Sequence, residues 1–121
     1  MKAVFDTNIL IDYLNGISQA KIEMQHYQDL LISPITWIEV MVGASDPAEE
    51  NIIRSFLNQF QQIPIASPIL ELSVKIKKEY KIRLPDAIIW ATAQSQNALL
   101  VTRNIKDFPI ASPSVRVPYQ I

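Results

Sequence analysis

The chain predicts an α/β fold, a three-layer α/β/α sandwich around a central, mainly parallel sheet. Three observations carry that prediction. Short apolar runs, Ala3-Val4-Phe5, Leu30-Leu31-Ile32 and Leu99-Leu100-Val101-Thr102, alternate with longer segments of helical periodicity. The runs are continuously apolar, as strands covered on both faces are, rather than alternating. The eight prolines fall at element starts or in loops, where a missing N–H does no damage. With 121 residues and 49% apolar composition, residues 1–121 are expected to form one domain around a core of their own.

The elements follow in order. Residues 2–5 form a buried strand. Ile9, Leu10, Tyr13 and Leu14 share one face of a first helix, which ends at Gly16. A more polar helix spans 18–28, and Leu30-Leu31-Ile32 is the second strand. Ser33-Pro34 then supplies a cap and a first-turn proline for a helix over 34–43. That helix is apolar almost all round and is expected to be buried. Asp46-Pro47-Ala48-Glu49 is a capping-box start for a helix whose apolar face is Ile52, Ile53, Phe56, Leu57 and Phe60. A short strand is expected at 62–65. Ser67-Pro68 opens the next helix, with Ile69, Leu72, Ile76 and Tyr80 inward and Lys75, Lys78 and Lys81 outward. Pro85 starts a helix running to Gln96, where Asn97 suits the left-handed cap. Residues 99–102 and 115–117 are the last strands.

Composition excludes several chemistries. There is no cysteine, hence no disulfide, thiolate zinc site or cysteine nucleophile. The single histidine, His26, lies in the polar stretch AKIEMQHYQDL and reads as a surface residue. It cannot build a multi-histidine metal site, and no G-x-S-x-G elbow accompanies it. Net charge is −1 with a pI near 5.7, so no global basic field marks a nucleic-acid binder. No apolar run approaches the ~18 residues of a membrane span. The chain enters its first strand without a signal-peptide pattern, which makes a cytoplasmic location, away from membranes, the expectation.

Four acids stand in apolar company. Asp6 ends the first strand in AVFDTN, Glu39 lies in ITWIEVMVG, Asp86 in LPDAIIWATA and Asp107 in VTRNIKDF. Ionised groups in such surroundings are costly unless something compensates them. In a right-handed parallel sheet, strand C-termini and helix N-termini share one edge, where ligands bind. Asp6 lies on that edge. Glu39 is roughly 7–8 Å into a helix that starts there. Asp86 is in the first turn of a helix that leads to strand 99–102, and Asn104 and Asp107 follow that strand. Taken singly, Asp86 is also what a helix dipole favours, Asp6 what caps a helix, and Asp107 an ordinary loop acid. Glu39, ringed by Ile35, Trp37, Ile38, Val40, Met41 and Val42, needs a partner. Asp12, Asp29, Asp46, Glu49, Glu50, Glu71 and Glu79 have surface or capping explanations. Converging carboxylates repel one another without a counter-charge, and a hard cation, Mg²⁺ or Mn²⁺, is the fitting one. Such an ion, keeping its waters, suits attack on a phosphodiester.

The series AVFDTNILIDYL, SPITWIEVMVG, LPDAIIWATA, LLVTRNIKDF resembles the PIN-domain (PilT N-terminus) family, especially VapC-type toxins of toxin–antitoxin pairs. The resemblance runs from residue 2 to about 118 and includes the terminal VRVP. It implies the α/β/α sandwich, a Mg²⁺-dependent (or Mn²⁺-dependent) ribonuclease, a homodimer, and inhibition by a small antitoxin that lays a peptide across the active site. By position, Asp6, Glu39 and Asp86 match the family's metal-binding acids, with Asp107 as the fourth or part of its shell. Many relatives carry an aspartate where this chain has Asn104, which leaves a second metal in doubt. Thr7 and Thr102 match hydroxyl positions that orient ligands or a water, and Asn8 is expected to cap the first helix. Arg103 and Lys106, flanking Asn104, are the candidates for RNA-phosphate contacts. Lys75, Lys77, Lys78, Lys81 and Arg83 form a basic stretch that either guides RNA or is a solvated face.

Three other functions compete. A PIN domain that binds RNA or a partner without cutting is suggested by Asn104. A receiver-like signalling module has a similar sheet and acidic pocket, but it needs adjacent acids after the first strand and a phosphoacceptor aspartate in the middle, and this chain has neither. A dehalogenase-type phosphatase would need a D-x-D motif, which is absent.

Overall fold

Ala3, Val4 and Phe5 are wholly buried because β1 (Lys2–Phe5) is the middle strand of a sheet covered on both sides. In the computed structural model, which describes residues 1–108 and 112–121, five strands pair in parallel in the order β3-β2-β1-β4-β5. β2 is Asp29–Ile32, β3 Gln61–Gln62, β4 Leu99–Val101 and β5 Val115–Arg116. The helices are α1 (Thr7–Leu14), α2 (Ser18–Met24), α3 (Pro34–Val42), α4 (Pro47–Leu57), α5 (Ser67–Tyr80) and α6 (Leu84–Ser95).

Strand alternation divides the core in two. Val4 packs with the α5 and α6 side chains Ile69, Ile76, Ile89 and Trp90. Ala3 and Phe5 face the opposite way, onto Ile9, Leu10, Val40, Ile53 and Phe56 of α1, α3 and α4. The expected three layers are these two helical layers and the sheet between them. The chain steps outward from β1 to β2 to β3 and then returns to place β4 on the other side of β1. The order of strands therefore reverses between β1 and β4, and their C-terminal ends, Asp6 and Thr102, flank the crevice where open α/β sheets bind ligands.

Several local expectations are refined. The second helix stops at Met24 and the third strand covers Gln61–Gln62 rather than 62–65. The first helix ends at Leu14, Gly16 takes φ +83 and Asn97 φ +52. Asp46 caps α4 by accepting from the Glu49 N–H at 2.8 Å, as the sequence indicates. Two expectations fail. Helix 34–43 is not buried all round: only Thr36 and Val40 are, while Ile38 and Val42 are 53% and 78% exposed, because α3 packs on α1, α4 and α6 along one side only. Tyr80 is largely exposed, its ring lying over Trp90 at 4.8 Å rather than in the core.

Asp12 is buried, not a surface acid. Its carboxylate receives the Arg103 guanidinium at 2.6 and 2.9 Å and the Tyr119 hydroxyl at 2.8 Å. Glu23 on α2 is built alike, taking Arg116 at 2.6 and 2.9 Å and Tyr27 at 2.7 Å. These two forks tie α1 and α2 to the segments after β4 and in β5. Burial alone would raise both carboxyls, but the arginine hydrogen bonds and charges outweigh it and hold Asp12 and Glu23 below their ordinary values.

Candidate active site

The C-terminal edge of β1 ends in a carboxylate because Asp6 is both the last extended residue and the N-cap of α1. Its N–H still pairs with the Val101 carbonyl of β4, while its Oδ1 accepts from the Thr7 N–H at 2.8 Å. Thr102, one residue past β4, donates its hydroxyl to Asp6 Oδ2 at 2.7 Å. Asn8 donates to the same oxygen at 3.2 Å and accepts from the Arg103 N–H. The cap expected of Asn8 is thus supplied by Asp6, and Asn8 bridges the ends of β1 and β4 instead.

Asp6, Thr7, Asn8, Ile11, Glu39, Arg83, Asp86 and Asn104 line one cavity of about 300 Å³ at this crevice. Thr7 anchors Glu39 by a 2.6 Å hydrogen bond. Asp86, in the first turn of α6, is buried and meets Arg83 at 3.2 and 3.5 Å. Asn104 closes the rim with an Asx turn. Its Oδ1 accepts from the N–H groups of Lys106 and Asp107, and its Nδ2 donates to Asp107 Oδ2 at 2.8 Å.

The electrostatics show how crowded the acids are. Burial pushes the Asp6 carboxyl up to about 6. The Thr102 and Thr7 hydrogen bonds oppose this, and the charges of Asp86 and Glu39 add to it. Asp86 is also raised, first by burial, with Arg83 pulling it down and Asp107 pushing it up. Asp107 lies beside Asp86 and Asn104 but outside the cavity lining.

Six of the expected residues, Asp6, Thr7, Asn8, Glu39, Asp86 and Asn104, share the cavity, and Thr102 holds it from behind. Arg103 does not point there. In the extended segment after β4 consecutive side chains face opposite ways, so Thr102 and Asn104 turn to the cavity and Arg103 to Asp12. Its guanidinium is engaged in that fork, so in this structure the expected phosphate contact is turned away from the cavity. Lys106 is exposed and lies outside the lining. Arg83, which the sequence places in a basic stretch that either guides RNA or is a solvated face, is the N-cap residue of α6 and stands three residues before Asp86.

The donor set of carboxylate, hydroxyl and amide oxygens is that of a hard divalent cation, with no softer ligand. Among the described residues no three acids converge closely enough to cage an ion outright. Glu39 is drawn to Thr7 and Asp86 to Arg83, so a cation has to compete with Arg83 for Asp86.

Comparison with known proteins agrees with the geometry. The family model described as PIN domain matches residues 3–110, so the chain belongs to the PIN-domain family. It is similar to a protein named Ribonuclease VapC1 from Rickettsia felis, 29% identical over 120 residues covering 89% of each chain. A structure described as a toxin–antitoxin complex from Klebsiella pneumoniae contains a chain with 48% identity and a TM-score of 0.92, covering 98% of this chain and 99% of that one. The FitAcB structure from Neisseria gonorrhoeae shares the fold, at 22% identity and a TM-score of 0.80, with 98% and 99% coverage.

Proposed function

We propose that this PIN domain, residues 1–121 acting as one unit, is a metal-dependent endoribonuclease of the VapC type and the toxin of a toxin–antitoxin pair. One observation carries the reading: Asp6, Glu39 and Asp86, delivered by β1, α3 and α6, line a single cavity at the strand-order reversal. Mg²⁺ or Mn²⁺ would be held by Asp6, Glu39 and Asp86, with Asp107 beside them. When bound, it supplies an acidified water and steadies charge on the phosphodiester oxygens. Thr102, Asn8 and Thr7 fix the orientation of the acids. Lys106 remains a candidate phosphate contact at the rim.

A cleft of about 390 Å³ with an apolar wall of Ile11, Leu14, Val40, Ile52 and Ile53 and a polar one of Asn15, Glu39 and Glu49 adjoins the cavity, with Glu39 lining both. It suits the antitoxin segment that the toxin–antitoxin relatives suggest. Leu70 and Val74, one turn apart and both exposed on α5, support a homodimer, which light scattering tests. Among the described residues no helix is long and apolar enough to cross a membrane, and a cytoplasmic site of action completes the proposal.

The test is cleavage of single-stranded and structured RNA by the purified chain with Mg²⁺ or Mn²⁺. Chelator is expected to abolish it, and so is Asp86→Asn. Full cleavage by a folded Asp86→Asn protein overturns the assignment. A small DNA-binding protein encoded next to this chain would support the toxin role.

A further inference from the structure

Among the described residues three arginines grip a carboxylate with two N–H groups, and one of them grips differently. Arg103 and Arg116 hold Asp12 and Glu23 at 2.6 and 2.9 Å, and in each case a tyrosine hydroxyl completes the carboxylate. Arg83 holds Asp86 at 3.2 and 3.5 Å with no tyrosine, and its side chain is 67% exposed, against 28% and 43% for the other two. The first two forks are short and closed, as structural pairs are. The third is long, open and readily exchanged.

Its position gives that looseness a use. A cavity walled by Asp6, Glu39 and Asp86 repels a polyanion, yet the nuclease reading requires an RNA phosphate to enter it. Arg83 is the one cation among the described lining residues. Its charge is favoured first by the Asp86 hydrogen bond and charge and also by Glu39 and Asp107, which places it in the field of the whole cluster. Arg103 is committed to Asp12, and Lys106 stands outside the lining. A guanidinium presents a planar fork that matches two phosphate oxygens as well as it matches a carboxylate.

We propose that Arg83 is a phosphate-binding residue of this site: it pairs with Asp86 and transfers its fork to the RNA backbone when a cation takes its place on Asp86. The inference rests on the nuclease reading and adds to it the group that lets an acidic cavity accept RNA. Arg83 is then a counter-ion in one state and a substrate contact in the other.

The test uses the full chain, a fluorescent single-stranded RNA verified to stay intact, and Ca²⁺ in place of Mg²⁺, with anisotropy read across a salt series. Arg83→Ala is expected to bind about tenfold more weakly, with a log–log salt slope shallower by about 0.7, the loss of one phosphate contact. Arg83→Lys keeps the slope and recovers only part of the affinity, because a point charge replaces a fork. Calorimetry without RNA gives a second readout: Arg83→Ala binds Mn²⁺ more tightly, since Asp86 has lost its competing cation. Equal affinity and slope in Arg83→Ala and wild type overturns the assignment while leaving the nuclease reading in place. Weaker Mn²⁺ binding in the variant also overturns it, making Arg83 a mere support for Asp86. If the wild-type chain binds no RNA, both readings fall.

Discussion

Thr102 and Asp6 lie 96 positions apart in the chain and 2.7 Å apart in space, hydroxyl to carboxylate. The contact joins the ends of the two central strands where the strand order reverses. It also accounts for one of the two Asp6 oxygens, the Thr7 N–H taking the other. Thr102 further accepts from the Asn104 N–H at 2.9 Å, so one buried hydroxyl sets both the acid and the rim.

Thr102→Val keeps the shape and removes both bonds. Leaving Asp6 Oδ2 and the Asn104 N–H short of a partner is expected to cost about 1–3 kcal/mol in urea unfolding. Mn²⁺ affinity should fall about tenfold or more, as when an orienting group behind a ligand is lost. Thr102→Ser should restore most of both. A valine variant with wild-type Mn²⁺ affinity in calorimetry would remove the orienting role.

The pH dependence of the chelated protein has a definite sign. Burial first, then the charges of Asp86 and Glu39, raise Asp6 from 3.8 to about 6. Between those values the folded chain binds a proton that the unfolded chain has released. Stability therefore falls as pH rises from about 4 to about 6, and the deficit persists above. Metal-free protein should be about 1–2 kcal/mol more stable at pH 5 than at pH 7.5, with Asp86, also raised, acting in the same direction. Below about pH 4 the trend reverses, because Asp12 and Glu23, held low by Arg103 and Arg116, then lose their ion pairs. Asp6→Asn should flatten the slope between pH 4 and 6. Added Mn²⁺ should stabilise at pH 7.5 and progressively less toward pH 5, where protons compete. Melting temperatures across this range decide the matter.

Arg103→Ala should behave as a folding lesion. It strands the buried Asp12 carboxylate with Tyr119 alone, at an expected cost of about 3 kcal/mol. The partial exposure of Arg103 keeps the figure below that of a fully enclosed pair. RNA affinity per folded molecule should be unchanged. A variant with wild-type stability and weakened RNA binding would return Arg103 to the phosphate contacts.

The contrast between Arg103 and Asp6 shows what sequence patterns reveal. Asp6 was legible because a continuous apolar strand ends on it, and the right-handed parallel crossover puts Asp86 on the same edge. Glu39 was legible for a less sound reason. Its apolar neighbours suggested a buried helix, whereas Ile38 and Val42 face outward and Glu39 sits partly exposed at the cavity wall. The Asp12–Arg103 and Glu23–Arg116 forks span 91 and 93 positions, and no local pattern announces a partner so distant. Adjacency of Arg103 to Asn104 in sequence does not bring its side chain to the cavity, because in extended chain neighbours face opposite sides. The sequence leaves Arg83 between an RNA guide and a solvated face, because charge alone cannot tell a solvated lysine face from a guanidinium turned back onto Asp86.

Asn104→Asp tests whether the rim has exchanged a ligand for a turn. Asn104 accepts two backbone N–H groups through Oδ1, which an aspartate can still do, but it also donates to Asp107 Oδ2 at 2.8 Å. An aspartate has no N–H there, so two carboxylates would meet at hydrogen-bond distance. In chelator the variant is expected to lose about 1 kcal/mol of stability from like-charge contact and the lost hydrogen bond. Divalent cation should reverse the sign, because the paired carboxylates of 104 and 107 then share a positive charge instead of repelling. Unfolding in chelator and in Mn²⁺, with calorimetric stoichiometry, reads both effects. A second Mn²⁺ per chain in Asn104→Asp against one in wild type would show that the asparagine limits this site to a single ion. Equal stoichiometry together with unchanged stability in both conditions would mean that residue 104 serves the turn alone.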